Sequence, residues 1–283
     1  MVPTPFILAL LSSLVTSVPV LVKPMANPLD PKPRIQYLGL TTSNLPRIYR
    51  DGGGGGRING KDFLIFSDGI YTSDGRVPAD NGLGNWANFS SNSIACSNCH
   101  GKGITSLQDF RTQQKGPKQQ IPFFYASVED DQKTAVWPDQ GIATLCGGSC
   151  GVSFPVVVNR TEIGAGRNGD LYNTGIQITV TNKEPIVKRP TQGLFSRGEL
   201  LFGSFGTLVG IDSVVYLSYT TDLSTGWSTP AAIYTLPPVT SEYNYAFHAY
   251  SNYDSTGKVI PISWTQYSTT DSYQIAMANV TFA

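Results

Sequence analysis

Charged residues are scarce in this chain of 283 residues, since Asp, Glu, Lys and Arg make up only 14% of it, against about 25% in a typical soluble domain. Lys plus Arg and Asp plus Glu each number 20, so the net charge is zero. No basic run supplies the positive surface that nucleic acid binding requires. The shortage of Lys and Glu argues against an all-helical protein, and 40% apolar content with 11% aromatics argues against disorder.

Long apolar runs are absent after the first 22 residues, so no internal segment reaches the roughly 18 residues of a transmembrane helix. The run at residues 6–22 carries Val15 and Ser17 at the −3 and −1 positions of a signal-peptidase site. An uncleaved anchor is the alternative interpretation. The pattern predicts a secreted, extracellular protein with no membrane contact after signal cleavage.

Three segments of the chain and three glycosylation sites follow from this interpretation. We expect a signal peptide at 1–17, a Pro-rich segment at 18–34 and one domain at 35–283. Asn-x-Ser/Thr sequons, which fit secretion, occur at Asn88, Asn159 and Asn279.

The apolar pattern along the domain has a period of two, and no segment shows a sustained helical stripe. Strands are predicted at 62–66, 152–158, 172–181, 214–219, 231–234, 259–265 and 273–282, with Pro155 placing the second at an edge or bulge. Short strands separated by Gly, Pro, Asp and Ser clusters indicate an all-β sandwich, barrel or propeller. About 265 mature residues correspond to five propeller blades of 40–50 residues.

A glycine tract at residues 52–56 precedes the first of these strands. Gly55, Gly60 and Lys61 have the spacing of a phosphate loop, but Asp62 stands where a Ser or Thr would bind magnesium. A strand follows instead of a helix, which excludes the usual phosphate cradle. We therefore interpret the tract as a flexible or tightly turned entry to the strand.

The four cysteines are Cys96, Cys99, Cys146 and Cys150. Cys96 and Cys99 with His100 match the letters of a haem attachment motif, and the four thiolates have spacings that suit zinc. An oxidising compartment favours two disulfides over either alternative, with three pairings open. We expect no metal and no cofactor.

Carboxylates and aromatic residues are the candidates for chemistry. Asp51 precedes the glycine tract and Asp68 follows the 62–66 strand, so they form a candidate pair of the kind that cleaves glycosidic bonds. Residues suited to stacking on a sugar or bonding to it are Arg50, Trp137, Asp139, Glu199, His248 and Tyr250. Asp254 is more simply a turn residue, and His248 is also compatible with a hydrogen-bonded core position.

These motifs resemble a fungal family of secreted five-bladed β-propellers of uncharacterised function, distantly similar to bacterial endo-D-arabinanases. The resemblance rests on Arg50-Asp51-Gly52-Gly53, Gly60-Lys61, Phe66-Ser67-Asp68 and the stretches 135–139, 146–155, 201–208, 245–258 and 278–282. It covers nearly all of the chain after the leader. It implies a five-bladed propeller in which Asp51 and Asp68 match the proposed catalytic acids.

The chain departs from this family at two places. Ser67 and Gly69 flank Asp68, whereas the enzymes have a Phe-Gly-Asp-Thr-like sequence at the second acid. The fungal relatives look longer near residue 217, so the resemblance implies that this chain lacks blade material there. The leading hypothesis is a monomeric glycoside hydrolase acting on a polysaccharide or glycan. A non-catalytic carbohydrate-binding propeller and a structural wall or surface protein are the alternatives.

Overall fold

The protein is all-β in the part of the chain that the structure, a computed structural model, describes. The described residues are 32–45, 48–72, 86–110, 133–138, 141–167, 169–181, 184–189, 195–196, 214–218, 228–236, 243–250, 253–268 and 272–283. The predicted signal peptide at 1–17 lies outside them. A search of the described residues for a helix long and apolar enough to cross a membrane finds none.

The strands fall into three stretches of the chain. The first contains β1 (Arg34–Leu40), β2 (Thr42–Ser43), β3 (Ile48–Arg50), β4 (Gly54–Ile58), β5 (Lys61–Phe66), β6 (Gly69–Thr72), β7 (Trp86–Ser90), β8 (Ser93–Ser97) and β9 (Ser106–Asp109). The second contains β10 (Thr134–Trp137), β11 (Ala143–Leu145), β12 (Cys150–Ser153), β13 (Val156–Asn159), the helix α1 (Arg160–Gly164), β14 (Asp170–Asn173), β15 (Ile176–Thr181), β16 (Glu184–Lys188) and β17 (Phe195–Ser196). The third contains β18 (Val214–Leu217), β19 (Ala231–Thr235), β20 (Tyr243–Ala249), β21 (Val259–Ser268) and β22 (Ser272–Thr281).

The strands β3 to β9 form a bent antiparallel meander, which we call the first unit. On one side of the bend β4, β5, β8 and β9 form a sheet that β2 extends, and on the other side β3, β6 and β7 form a second sheet. Arg50 lies opposite Gly69 and Gly54 lies opposite Ile65, so both sheets keep one register. The bend therefore divides two long strands without shifting their pairing.

The strands β10 to β17 repeat this plan and form the second unit. One sheet has the order β11-β12-β15-β16 and the other has the order β10-β13-β14-β17. Phe154 and Pro155 separate β12 from β13, and the amide of Thr174 donates a hydrogen bond to the carbonyl of Pro155 at 3.0 Å. Proline has no N–H for a ladder, which explains why the strand predicted at 152–158 is two strands here.

The last sheet joins the two ends of the described chain. Its order is β1-β22-β21-β20, and Gln36 of β1 lies opposite Asn279 of β22. The first strand thus completes a sheet made by the last three. In the third stretch the described residues also include a two-stranded sheet, β18 with β19.

Alternation along β5 shows how the sheets stack. Phe63 and Ile65 pack against Val136 and Val157 of the second unit, whereas Leu64 and Phe66 pack on the side of the last sheet. These four β5 side chains are at most 1% exposed. Burying one side chain of this size contributes about 1.5–3 kcal/mol, so the first unit is held firmly between its two neighbours.

The other face of the last sheet covers β18 and β19. Trp264, which is fully buried, shares a cluster with Val215 and Ile233. The described sheets therefore stack in the order β18–β19, last sheet, first unit, second unit, each face to face with the next.

The glycine tract forms part of a strand and is not a flexible entry. Gly54, Gly55 and Gly56 belong to β4, and three segments converge on them because they have no side chains. The amide of Ile142 donates to the carbonyl of Gly55 at 2.9 Å. A Cβ on Gly56 would overlap the carbonyl oxygen of Ile142, and one on Gly55 would lie 2.8 Å from the Tyr250 ring.

This convergence gives a stability prediction. We expect Gly56→Ala to lower the free energy of unfolding by at least about 3 kcal/mol, because the added methyl meets backbone that cannot rotate away. Gly53→Ala is the matched control, since its Cβ would lie 3.5 Å from the Phe66 ring, an ordinary contact. We expect the control to change stability by less than about 1 kcal/mol. Equal urea midpoints for the two variants would contradict the close approach.

Candidate functional site

Asp51 and Asp68 occupy the bend of the first unit, opposite one another. The register on both sides of the bend pairs them, and the amide of Asp51 donates to the carbonyl of Asp68 at 2.7 Å. The amide of Ser67 in turn donates to the carbonyl of Asp51 at 3.0 Å. Both aspartates are partly exposed. These backbone hydrogen bonds place the two aspartates side by side at the bend, between the two paired registers.

Trp137 joins this pair from the second unit. Its indole N–H donates a hydrogen bond to Oδ1 of Asp68 at 3.0 Å, although the residues are 69 positions apart in sequence. Trp137 ends β10, which packs beside the first unit, and its side chain is partly exposed. A flat aromatic face therefore lies next to the carboxylate pair.

Arg50, the residue before Asp51, is held inside the protein. It is 4% exposed, forms an ion pair with the buried carboxylate of Asp109, and lies 4.5 Å from the centre of the Phe66 ring. Ser43 donates a hydrogen bond to the same Asp109 carboxylate. These contacts hold the end of β3, the strand that directly precedes Asp51. The substrate contact predicted for Arg50 stays a prediction.

His248 and Tyr250 line a separate cavity of about 310 Å³ between β4, β11 and β20, which we call the glycine cavity. The amide of Gly55 donates to Nε2 of His248 at 3.3 Å, so the ring proton of neutral His248 resides on Nδ1. Burial lowers the pKa of His248 to about 4, so the imidazole is neutral at physiological pH. The hydroxyl of Tyr250 lies 2.8 Å from Oγ of Ser263, and burial raises the pKa of this phenol.

Asp62 also lines the glycine cavity, although no motif marks it as a candidate site residue. Its side chain is 16% exposed, and Oδ1 lies 3.5 Å from Nε of Arg57. Burial raises the pKa of Asp62 to about 6, and the positive charge of Arg57 only partly opposes this. One feature of the sequence could have indicated Asp62 as a site residue. It lies opposite Arg57 across the Asn59-Gly60 turn, so its carboxylate stands at the start of the buried strand β5.

The remaining predicted residues are not part of either group. Asp139 and Glu199 lie outside the described residues. Asp254 accepts hydrogen bonds from the amides of Thr256, Lys258 and Val259, as expected for a turn residue. Among the described residues, no group of three or more His, Cys, Asp or Glu side chains is placed to hold a metal ion.

The cysteines pair within each motif. Cys96 bonds to Cys99 and Cys146 bonds to Cys150, with Cα–Cα distances of 5.7 Å and 5.4 Å. This resolves the three pairings that the sequence left open. Both bridges close very short loops, so each stabilises the fold by only about 2 kcal/mol in the chain-entropy model.

The predicted sequons occupy three different positions. Asn88 lies in β7 and Asn279 lies within β22, between β1 and β21. Asn159 is the N-cap of α1, where its side-chain oxygen accepts hydrogen bonds from the amides of Thr161 and Glu162.

The capping role of Asn159 gives a prediction that separates structure from modification. In protein from a eukaryotic secretory host, Asn159→Ala and Asn159→Asp both remove the sequon and lose the same glycan mass, if one is attached. Only Asn159→Ala loses the cap, which costs about 1 kcal/mol and lowers the melting temperature. Equal melting temperatures for the two variants would contradict a stabilising cap.

Comparison with known proteins adds no relative. A scan against protein-family models gives no match to this chain, and a search of curated proteins gives none either. Function must therefore be inferred from the carboxylate pair at the bend and from the glycine cavity.

Proposed function

We propose that the chain is a secreted β-propeller protein that cleaves glycosidic bonds, with Asp51 and Asp68 as its catalytic carboxylates. The observation that carries the proposal is the hydrogen bond from Trp137 to Asp68, whose carbonyl accepts a hydrogen bond from the amide of Asp51. Two carboxylates and an aromatic ring from distant parts of the sequence thus share one partly exposed site. The resemblance to propellers related to endo-D-arabinanases supports the same assignment.

The propeller architecture is supported by how the described sheets pack. The two units are antiparallel meanders, each described sheet faces the next, and β1 completes the sheet formed by the last strands. Propellers close their ring with a terminal strand in this way, which leaves no long exposed edge. We propose a five-bladed ring that is short of blade material near residue 217, where β18 ends.

The chemistry follows from the expected spacing of the two carboxyl groups. We propose the retaining mechanism, which requires carboxyl groups about 5–5.5 Å apart, because backbone hydrogen bonds hold Asp51 and Asp68 side by side. The Trp137 N–H stabilises the ionised form of Asp68, which makes Asp68 the nucleophile that attacks the anomeric carbon. Asp51 then protonates the leaving oxygen and later takes a proton from the water that releases the sugar.

Binding without cleavage is the second candidate function. The glycine cavity favours it, because among the described residues this cavity combines aromatic and polar groups with a single carboxylate, that of Asp62. A protein that binds glycans through this cavity alone would not need the pair at the bend.

The catalytic assignment predicts that Asp51→Asn and Asp68→Asn each lower hydrolysis by about 100-fold or more, because each variant removes one of the two required carboxylates. Reducing-end release from a polysaccharide panel is the measurement, with mature wild-type protein as reference. Asp254→Asn is the matched control and should keep full activity, since Asp254 only serves a turn. Full activity in both catalytic variants would refute the assignment, and binding without hydrolysis in the wild type would favour the second candidate.

The role of Trp137 gives a separate kinetic prediction. Trp137→Phe keeps an aromatic face but removes the N–H that donates to Asp68. Hydrogen bonds to charged groups contribute about 1.5–3 kcal/mol, so we expect kcat to fall at least tenfold with little change in KM. A rise in KM at constant kcat would mean that Trp137 only binds substrate.

A further inference from the structure

The glycine cavity lies well away from the carboxylate pair, although one hairpin carries residues of both. Asp62 and Asp68 are separated by six residues of strand, about 20 Å at 3.3 Å per residue, with the bend between them. The cavity is therefore a distinct site. Its volume of about 310 Å³ equals that of about ten waters and falls in the range of small-molecule sites.

The polar groups of this cavity are incompletely used by the protein. Within the described part of the chain, the Asp62 carboxylate accepts no hydrogen bond, lies 3.5 Å from Nε of Arg57, and acts through its charge on the nearby Tyr253. His248 uses Nε2 to accept from Gly55, and its Nδ1–H has no partner in the same residues. A carboxylate at 16% exposure without a hydrogen-bond donor is costly to keep, which favours a role in binding.

The balance of charge in the cavity selects an uncharged ligand. Asp62 on the cavity wall forms an ion pair with Arg57 beside the cavity, and the imidazole of His248 is neutral, so the net charge at the cavity is zero. Tyr253 and Phe154 supply apolar surface on the cavity wall. An acceptor, a donor and aromatic walls together match a hydroxylated ring that has polar edges and apolar faces.

We infer that the glycine cavity binds one neutral sugar ring, with the Asp62 carboxylate accepting hydrogen bonds from its hydroxyl groups and His248 Nδ1–H donating to a ring or hydroxyl oxygen. The choice of ligand class rests on the proposed carbohydrate function, but the cavity does not take part in cleavage. It holds a sugar that lies at a distance from the bond being broken, or one that is not cleaved at all.

The glycines are what keep this cavity open. A Cβ on Gly55 would lie 2.8 Å from the Tyr250 ring, and a Cβ on Gly141 would lie 2.9 Å from Cε1 of His248. Side chains at these positions would displace the two rings. Glycine is thus required both for the close packing of the strands and for the position of the residues that line the cavity.

The test uses the full mature chain carrying Asp51→Asn and Asp68→Asn, so that no ligand is cleaved. Binding of D-glucose, D-arabinose, D-glucuronate and D-glucosamine is measured by saturation-transfer NMR and titration calorimetry. We expect a neutral sugar to bind and both charged sugars to bind more weakly. Further substitution Asp62→Asn should weaken neutral sugar binding at least tenfold, because a hydrogen bond to a charged acceptor is lost.

Two further variants guard against indirect effects. Glu162→Gln, which removes an exposed carboxylate on α1, should leave the affinity unchanged. Ala143→Leu adds bulk at an exposed position on the cavity wall and should block binding without disturbing the fold. Equal neutral-sugar affinity with and without Asp62→Asn, or no neutral-sugar binding at all, would overturn the inference.

The pH dependence provides an internal check. The ionisable groups at the cavity are Asp62 on β5, Arg57 on β4, His248 on β20, and Tyr250 and Tyr253 after β20. Of these, only Asp62 has a pKa near 6, and its ionised form accepts hydrogen bonds more strongly. Affinity should therefore fall as the pH is lowered through about 6, and Asp62→Asn should abolish this dependence.

The outcomes distinguish this inference from the proposed function. Sugar binding that depends on Asp62, in a protein whose wild type cleaves nothing, would support the cavity and refute the hydrolase. Cleavage that depends on Asp51 and Asp68, without any sugar bound at the cavity, would support the hydrolase and refute the sugar site in the cavity.

Discussion

The close approach of three backbone segments at Gly55 and Gly56 is the constraint on which the rest of the structure depends. The amide of Gly55 donates to His248, its carbonyl accepts from Ile142, and a Cβ on Gly56 would overlap that same residue. One glycine strand therefore holds the second unit on one side and the last sheet on the other. The buried faces of β5, which is hydrogen-bonded to this strand, then fill the space between those neighbours.

Both candidate sites depend on this arrangement. Asp51 lies three residues before β4, and Asp62 lies opposite Arg57 near the end of β4. The carboxylate pair acquires Trp137 only because the second unit packs against the first. The glycine cavity acquires His248 only because β20 approaches β4 without an intervening side chain. Strand packing and the position of polar groups thus have one structural cause.

The sequence predicted local features well and long-range ones poorly. Short apolar runs bounded by turn residues located β5, β18, β19, β21 and β22 to within a few residues, because burial of a strand appears directly in its local sequence. Local patterns did not predict the pairing of β1 with β22 or the ion pair between Arg50 and the buried Asp109, because the topology of the fold sets contacts between residues distant in sequence. A motif selects Asp51 and Asp68 as candidates, which stays a prediction, whereas Asp62 enters the sequence analysis only as a departure from the phosphate-loop pattern. Asp62 becomes a candidate because burial raises its pKa and because it shares the glycine cavity with His248, which is distant in sequence.

Hydrogen–deuterium exchange of the glycine strand tests the central constraint most directly. The segment 52–58 reads as a flexible linker from composition alone, whereas its amides here donate to Thr265, His248 and a neighbouring strand. We predict that peptides covering 52–58 and 141–145 exchange as slowly as those covering β5, through cooperative unfolding only. Rapid exchange of 52–58 in an otherwise protected protein would contradict the convergence, and with it the basis for both sites.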